Sequence, residues 1–178
     1  MSNPQQSTVG EILADIQPGG VITRMHAREA IHIGYDELPH VELPDGSTLQ
    51  LLHVDLNQNL WIVRNVFKPG FCVDTHYHTG PVFAVTQQGE WFYKEYPQSV
   101  NRAGSYLFEP AQSIHTLTVS PDATEDAIVW FAIHGSNVNI DDKGNVTSVI
   151  DAQTVLAYYR AACEAIGRSS ERVIVIGE

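Results

Sequence analysis

Charge is scarce in this chain: only 17% of its 178 residues are Asp, Glu, Lys or Arg, below the roughly 25% of an ordinary soluble domain. Basic charge is scarcest, with 10 Lys and Arg against 21 Asp and Glu for a net of -11. An anionic partner, whether nucleic acid or an acidic membrane surface, needs a cationic face, and there is too little basic charge here to build one. The longest unbroken apolar run, Ala127 to Ile133, falls far short of the about 20 residues that span a bilayer. The opening MSNPQQSTVG has neither the basic region nor the apolar core of an export signal, so a cytoplasmic location is expected. Cysteine is nearly absent: Cys72 and Cys163 can pair only once and lack the spacing of a disulfide framework or a thiolate zinc site. Two reduced, buried thiols are expected.

What is present is a β pattern between helical ends. The length and a 43% hydrophobic content suit a single domain over 1–178 with one core. Within it an N-terminal arm and first strands occupy 1–40, a barrel core 47–150 and a C-terminal helix 151–167. Thr8 with Glu11 fits a capping box, and Val9, Ile12, Leu13 and Ile16 share a stripe, so a short helix precedes Pro18-Gly19-Gly20. Beyond it, short β-branched and aromatic runs recur about every 8 to 12 residues between turn residues such as Lys68-Pro69-Gly70, the spacing of a sandwich or small barrel. The predicted strands are Leu49 to Leu56, Leu60 to Phe67, Phe71 to His78, Val82 to Gln87, Trp91 to Glu95, Tyr106 to Glu109, Ser113 to Val119, Ala127 to Ile133 and Val146 to Ile150. Asp151 then caps a helix with Val155, Leu156, Tyr159, Ala162, Cys163 and Ile166 on one stripe, stopped by Gly167.

Of the eight histidines, His26, His32, His40, His53 and His134 stand alone and read as surface or packing residues. His76 and His78 differ. Two apart on a strand, they project from one face, so their imidazoles converge if that face looks into a barrel. His115, in a later strand-like run, supplies a third nitrogen. Gly70, five residues, His76-Tyr77-His78 and later Gly89 form one block; Gly104, five residues, Pro110 and then His115 form a second. Together and in this order the blocks resemble the two motifs of the cupin superfamily. That resemblance covers about Gly70 to Val119 and implies an all-β fold: a small antiparallel jelly-roll barrel, here with a helix at each end, holding a metal inside.

In the commonest cupin pattern a Glu follows the second His by four or five residues and ligates the metal, but Val82 and Phe83 stand there in this chain. Gln112 replaces a usual Gly and Val119 a usual Asn, changes that remove no ligand. Three neutral imidazoles would leave a divalent ion its full charge, a stronger trap for an anionic chelate. An octahedral ion would also keep three positions for a bidentate enolate or hydroxy-ketone and dioxygen. Imidazole suits Fe, Zn, Cu and Ni, so ligand type leaves the metal open, and catalytic zinc fits as well.

A two-residue hairpin turn at Gln88-Gly89 would set Gln87 against Glu90, Thr86 against Trp91, Ala84 against Tyr93 and Val82 against Glu95. Val82, in the lost ligand's place, then points inward and carries Ala84, Thr86, Trp91, Tyr93 and Glu95 with it. Another loop length would flip the second strand and put Phe92 and Lys94 inside. Trp91, Tyr93 and Val82 are the expected substrate contacts on this register, and Phe83 is added by the resemblance to metal-dependent cupin enzymes. Glu109 and Glu95 are the carboxylates nearest the motifs and the candidate catalytic groups, as acceptors from an imidazole or as bases toward substrate; the alternative is a solvated strand end. Tyr77 should face away.

The run His76 to Val82, the segment Tyr106 to Thr118 and the tail from Trp130 through Gly144 to Tyr158 most resemble the 2,4'-dihydroxyacetophenone dioxygenase family. This resemblance implies non-haem Fe(II) on His76, His78 and His115, with Zn, Ni or Mn as other occupants. It also implies dioxygen and a small aromatic hydroxy-ketone as substrates, split into an aromatic acid and formate, and a homo-oligomer, dimer or tetramer. A Zn- or Mn-dependent isomerase or hydrolase, or a metal-binding sensor of the anti-sigma type, are the rival readings of the same scaffold.

Overall fold

A computed structural model describes residues 30–178. By its contacts the chain divides into Met1–His32 and Ile33–Glu178, and the fold belongs to the second unit. The helix expected from Thr8, and His26, lie outside the described residues.

Among the described residues thirteen strands and one helix follow in order: β1 (Val41–Glu42), β2 (Thr48–Asp55), β3 (Leu60–Phe67), β4 (His76–His78), β5 (Val82–Gln88), β6 (Glu90–Tyr93), β7 (Asn101–Arg102), β8 (Tyr106–Glu109), β9 (Leu117–Thr118), β10 (Ala127–His134), β11 (Asn137–Ile140), β12 (Val146–Ile150), α1 (Ala152–Ala165) and β13 (Ile174–Ile176). Strands β1, β2, β3, β10, β5 and β8 run side by side in that order, with β13 added on β2. Two small sheets, β12-β11-β4 and β7-β6-β9, are joined by the bridges His76↔His115 and Cys72↔Thr118. All ladders are antiparallel except β13 on β2. This is the expected all-β jelly roll with a C-terminal helix.

Alternation in the sequence sets the inner face. In β3, Trp61, Val63, Asn65 and Phe67 are buried while Leu60, Ile62, Arg64 and Val66 are half-exposed, a period of two. Strand β10 pairs with β3 along its whole length, from Ala127↔Phe67 to His134↔Leu60, and its Val129, Phe131 and Ile133 join the same core. Helix α1 starts at a capping box in which the Asp151 carboxylate accepts from Thr154 N–H and Thr154 Oγ1 accepts from Asp151 N–H. It buries Val155, Leu156, Tyr159 and Cys163.

Several expectations need correction. Strands β5 and β6 do not form a hairpin: β5 pairs with β10 and β8, and β6 with β7 and β9. Gly89 lies between them at φ 69°, where a Cβ would sit 2.5 Å from Asp126 O, so the chain bends from one sheet to the other against β10. The runs Phe71 to His78 and Ser113 to Val119 shorten to β4 and β9, because their remaining backbone pairs only through single bridges. Cys72 is exposed while Cys163 is buried. Ile166, expected on the buried stripe, is the exposed C-cap.

Candidate metal centre

His76 and His78 share one face of β4, as their spacing requires, and His115 is pinned opposite His76 by two backbone hydrogen bonds. His76 N–H donates to His115 O at 3.1 Å and His115 N–H to His76 O at 3.0 Å. One ring nitrogen from each of the three lies within 4.8 Å of the others. His78 and His115 are buried and His76 half-buried. The His76 Nδ1–H donates to the Asp74 carbonyl at 2.8 Å, which fixes the tautomer and leaves Nε2 a bare lone pair, the form that binds a metal. Burial, opposed by Glu109, pushes His78 down to about 3, and burial lowers His76 as well. Both rings are therefore neutral at physiological pH, as ligation demands.

Glu109 enters from across the sheet. It pairs with Val82, so the position that lost its carboxylate is faced by a residue that carries one. Glu109 Oε2 stands 3.2 Å from His115 Nε2 and 3.5 Å from His78 Nε2. Yet Glu109 Oε2 and His115 Nε2, both buried, have no hydrogen-bond partner. Two ligands of one ion, each about 2.0 to 2.2 Å from it, stand roughly 3 Å apart, which is the separation of these two atoms. The donor set fits a divalent cation. Tyr93 O–H donates to the other carboxylate oxygen, Oε1, and the Tyr93 ring lies 4.4 Å from that of His115. Burial alone would raise Glu109, but His115, His78 and the Tyr93 hydrogen bond outweigh it and hold the carboxyl below its usual range. Of the two carboxylates expected near the motifs, Glu109 stands against two of the three imidazoles.

The centre opens on a cavity of about 580 Å³ walled by Leu49, Trp61, Phe67, Tyr93, Leu117, Phe131, Ile133 and the α1 residues Val155 and Tyr158, among others. Tyr93 and Glu109 line it, but the other expected residues do not. Val82 and Trp91 are sealed below it at 0% exposure, and Trp91 Nε1–H donates to Thr86 Oγ1 at 2.9 Å. Phe83 faces the other side of β5, its ring 5.6 Å from Phe108. Glu95 is exposed; its carboxylate accepts from Thr116 N–H and Oγ1–H, both at 2.9 Å, so it tethers a loop and does not reach the cavity. Sequence reasoning missed Asn65, Asn137, Asn139 and Ser148, which supply most of the neutral polar wall.

A jelly roll with this centre defines a cupin. Residues 28–136 match the ChrR cupin-like domain family, and the chain belongs to it. A cupin-fold protein of unknown function from Ralstonia eutropha JMP134 is 28% identical with a TM-score of 0.79, over 86% of this chain and 96% of that one. An RmlC-like cupin from the same organism is also 28% identical, with a TM-score of 0.72 over 78% and 92%. An acetylacetone dioxygenase from Acinetobacter johnsonii shares the fold at 24% identity and a TM-score of 0.67, over 79% and 96%. No curated protein sequence matches the chain.

Proposed function

We propose that the chain is a non-haem Fe(II) dioxygenase that cleaves the carbon-carbon bond of a small aromatic hydroxy-ketone of the 2,4'-dihydroxyacetophenone type. The balance is one ketone plus one O2 giving one aromatic carboxylic acid and one formic acid, with no other reductant. The observation that carries this reading is the meeting of three imidazoles and one carboxylate, of which His76, His78 and Glu109 lie on the wall of a largely apolar cavity. His76, His78 and His115 would hold the iron, which when bound supplies Lewis acidity to the ketone oxygens and electrons to O2.

The chain's own groups do the rest. Glu109, its carboxyl held below the usual range, would take the proton leaving the hydroxyl-bearing carbon. Its low basicity suffices only for a carbon acid already acidified by chelation. Tyr93 holds Glu109 by its second oxygen, leaving Oε2 directed at the reacting face. Trp61, Phe67 and Phe131 offer flat apolar surface to an aryl ring and keep water away from the reacting carbons.

The test is oxygen uptake by protein loaded anaerobically with Fe(II) and given 2,4'-dihydroxyacetophenone. Uptake matching acid and formate one to one is expected, and His115→Ala should lose both metal and turnover. Iron-loaded protein that consumes no O2 with this ketone or its relatives would overturn the proposal; metal binding alone would favour the sensor or hydrolase readings.

A further inference from the structure

Strand β11 lies beside β4 with Asn137 paired to His78 and Asn139 to His76. Paired residues of antiparallel strands share a face, so both amides stand on the cavity side next to imidazoles of the candidate metal centre, and both line the cavity. On the other edge of β11, Asn139 pairs with Ser148 of β12, which lines the cavity too. The three side chains are joined in one line. Asn137 Nδ2–H donates to Asn139 Oδ1 and Asn139 Nδ2–H to Ser148 Oγ, both at 2.8 Å. Each link uses one donor and one acceptor, so the Asn137 carbonyl is left as a spare acceptor at the inner end and the Ser148 hydroxyl proton as a spare donor at the exposed outer end. With strands about 4.8 Å apart, the line runs from one to two strand spacings away from the ligands, roughly 5 to 10 Å. No Lys or Arg lines this cavity, whereas Asp45, Asp74 and Glu109 do.

We propose that the Asn137-Asn139-Ser148 line is a binding strip for an uncharged hydroxyl carried on the far side of a ligand whose near end is held at the metal. A neutral amide and hydroxyl strip can give a hydrogen bond to such a group and take one from it. It offers no countercharge to a carboxylate, which would also meet a wall with three acids and no basic side chain. On the reading above, which this inference rests on, the group is the ring hydroxyl of the aryl ketone, an aryl width from the chelating oxygens.

The experiment is calorimetric titration of Fe(II)-loaded protein under strict anaerobiosis, so that binding is read without turnover. The probes are 2,4'-dihydroxyacetophenone and 2-hydroxyacetophenone, which keeps the chelating pair and lacks the ring hydroxyl. Wild type should bind the first at least tenfold more tightly. Asn139→Leu, of similar volume, and Ser148→Ala should bring the two affinities within about twofold by weakening the first alone, and Ser148→Thr should keep the preference. A strip that merely ties β11 to β12 would weaken both probes in the same ratio. That outcome, or a wild type that binds both equally, overturns the strip while leaving the hydroxy-ketone reading in place. A wild type that binds neither probe overturns both.

Discussion

Tyr93→Phe removes one oxygen and almost nothing else. The ring remains to pack at 4.4 Å from His115 and 5.3 Å from Trp91, and at 7% exposure for Tyr93 and 4% for Glu109 no bulk water replaces the lost donor. A hydrogen bond to a charged, buried acceptor contributes about 1.5 to 3 kcal/mol, and that is the expected loss in metal-free protein above the ordinary carboxylate pKa. The sign with pH follows from Glu109, which is held below its usual range in the fold. Its stabilisation is present above the unfolded carboxylate value and fades as pH falls through the folded one. Without the phenol the carboxyl moves back up, so the loss should shrink toward acid pH and the acid limb of any oxygen-uptake profile should shift to higher pH. Urea unfolding of both proteins at pH 7 and pH 4, with uptake measured across the same range, checks both parts. A variant within about 0.5 kcal/mol of wild type at pH 7 and with an unmoved acid limb would refute the claim that Tyr93 sets the state of Glu109.

Two other perturbations follow. In metal-free protein burial depresses His76 and takes His78 to about 3, while their unfolded counterparts titrate near 6.5. The unfolded state then binds protons that the fold refuses, so stability should be complete above pH 6.5 and fall below it by up to about 1.4 kcal/mol per pH unit per histidine. Urea midpoints between pH 7.5 and 5 should decline, and less steeply in His78→Leu; a flat wild-type profile would contradict the burial argument. Gly89→Ala combines a left-handed backbone, about 1 to 2 kcal/mol, with a Cβ placed 2.5 Å from Asp126 O. It should cost more than Gly144→Ala, whose φ of 81° is as strained but whose Cβ meets nothing within 4 Å. Equal losses in thermal or urea unfolding would remove the close approach as the reason for glycine at 89.

The parts of this molecule that could be read from the chain are those set by short-range spacing. Strand β3 alternates over its full length, His76 and His78 stand two apart, and Asp151 caps α1 through its neighbour Thr154; each is decided within a few residues. What could not be read depends on which strand lies beside which. Gln88-Gly89 serves a hairpin or a bend between sheets with the same residues, and only the approach of β10 selects the bend. The parity of Trp91 and Tyr93 survives that error because both lie in β6, whereas Glu95 falls past its end. Strand β11, Asn-Val-Asn-Ile, is too polar to announce itself until β4 and β12 flank it. The largest consequence concerns Glu109. Along the chain the first motif lacks its acid, but Val82 and Glu109 are cross-strand partners, so the sheet returns a carboxylate to the same wall from a residue far along the chain. An ionised Glu109 would offset part of the charge of a divalent ion held by the three imidazoles, across distances where opposite charges are poorly screened.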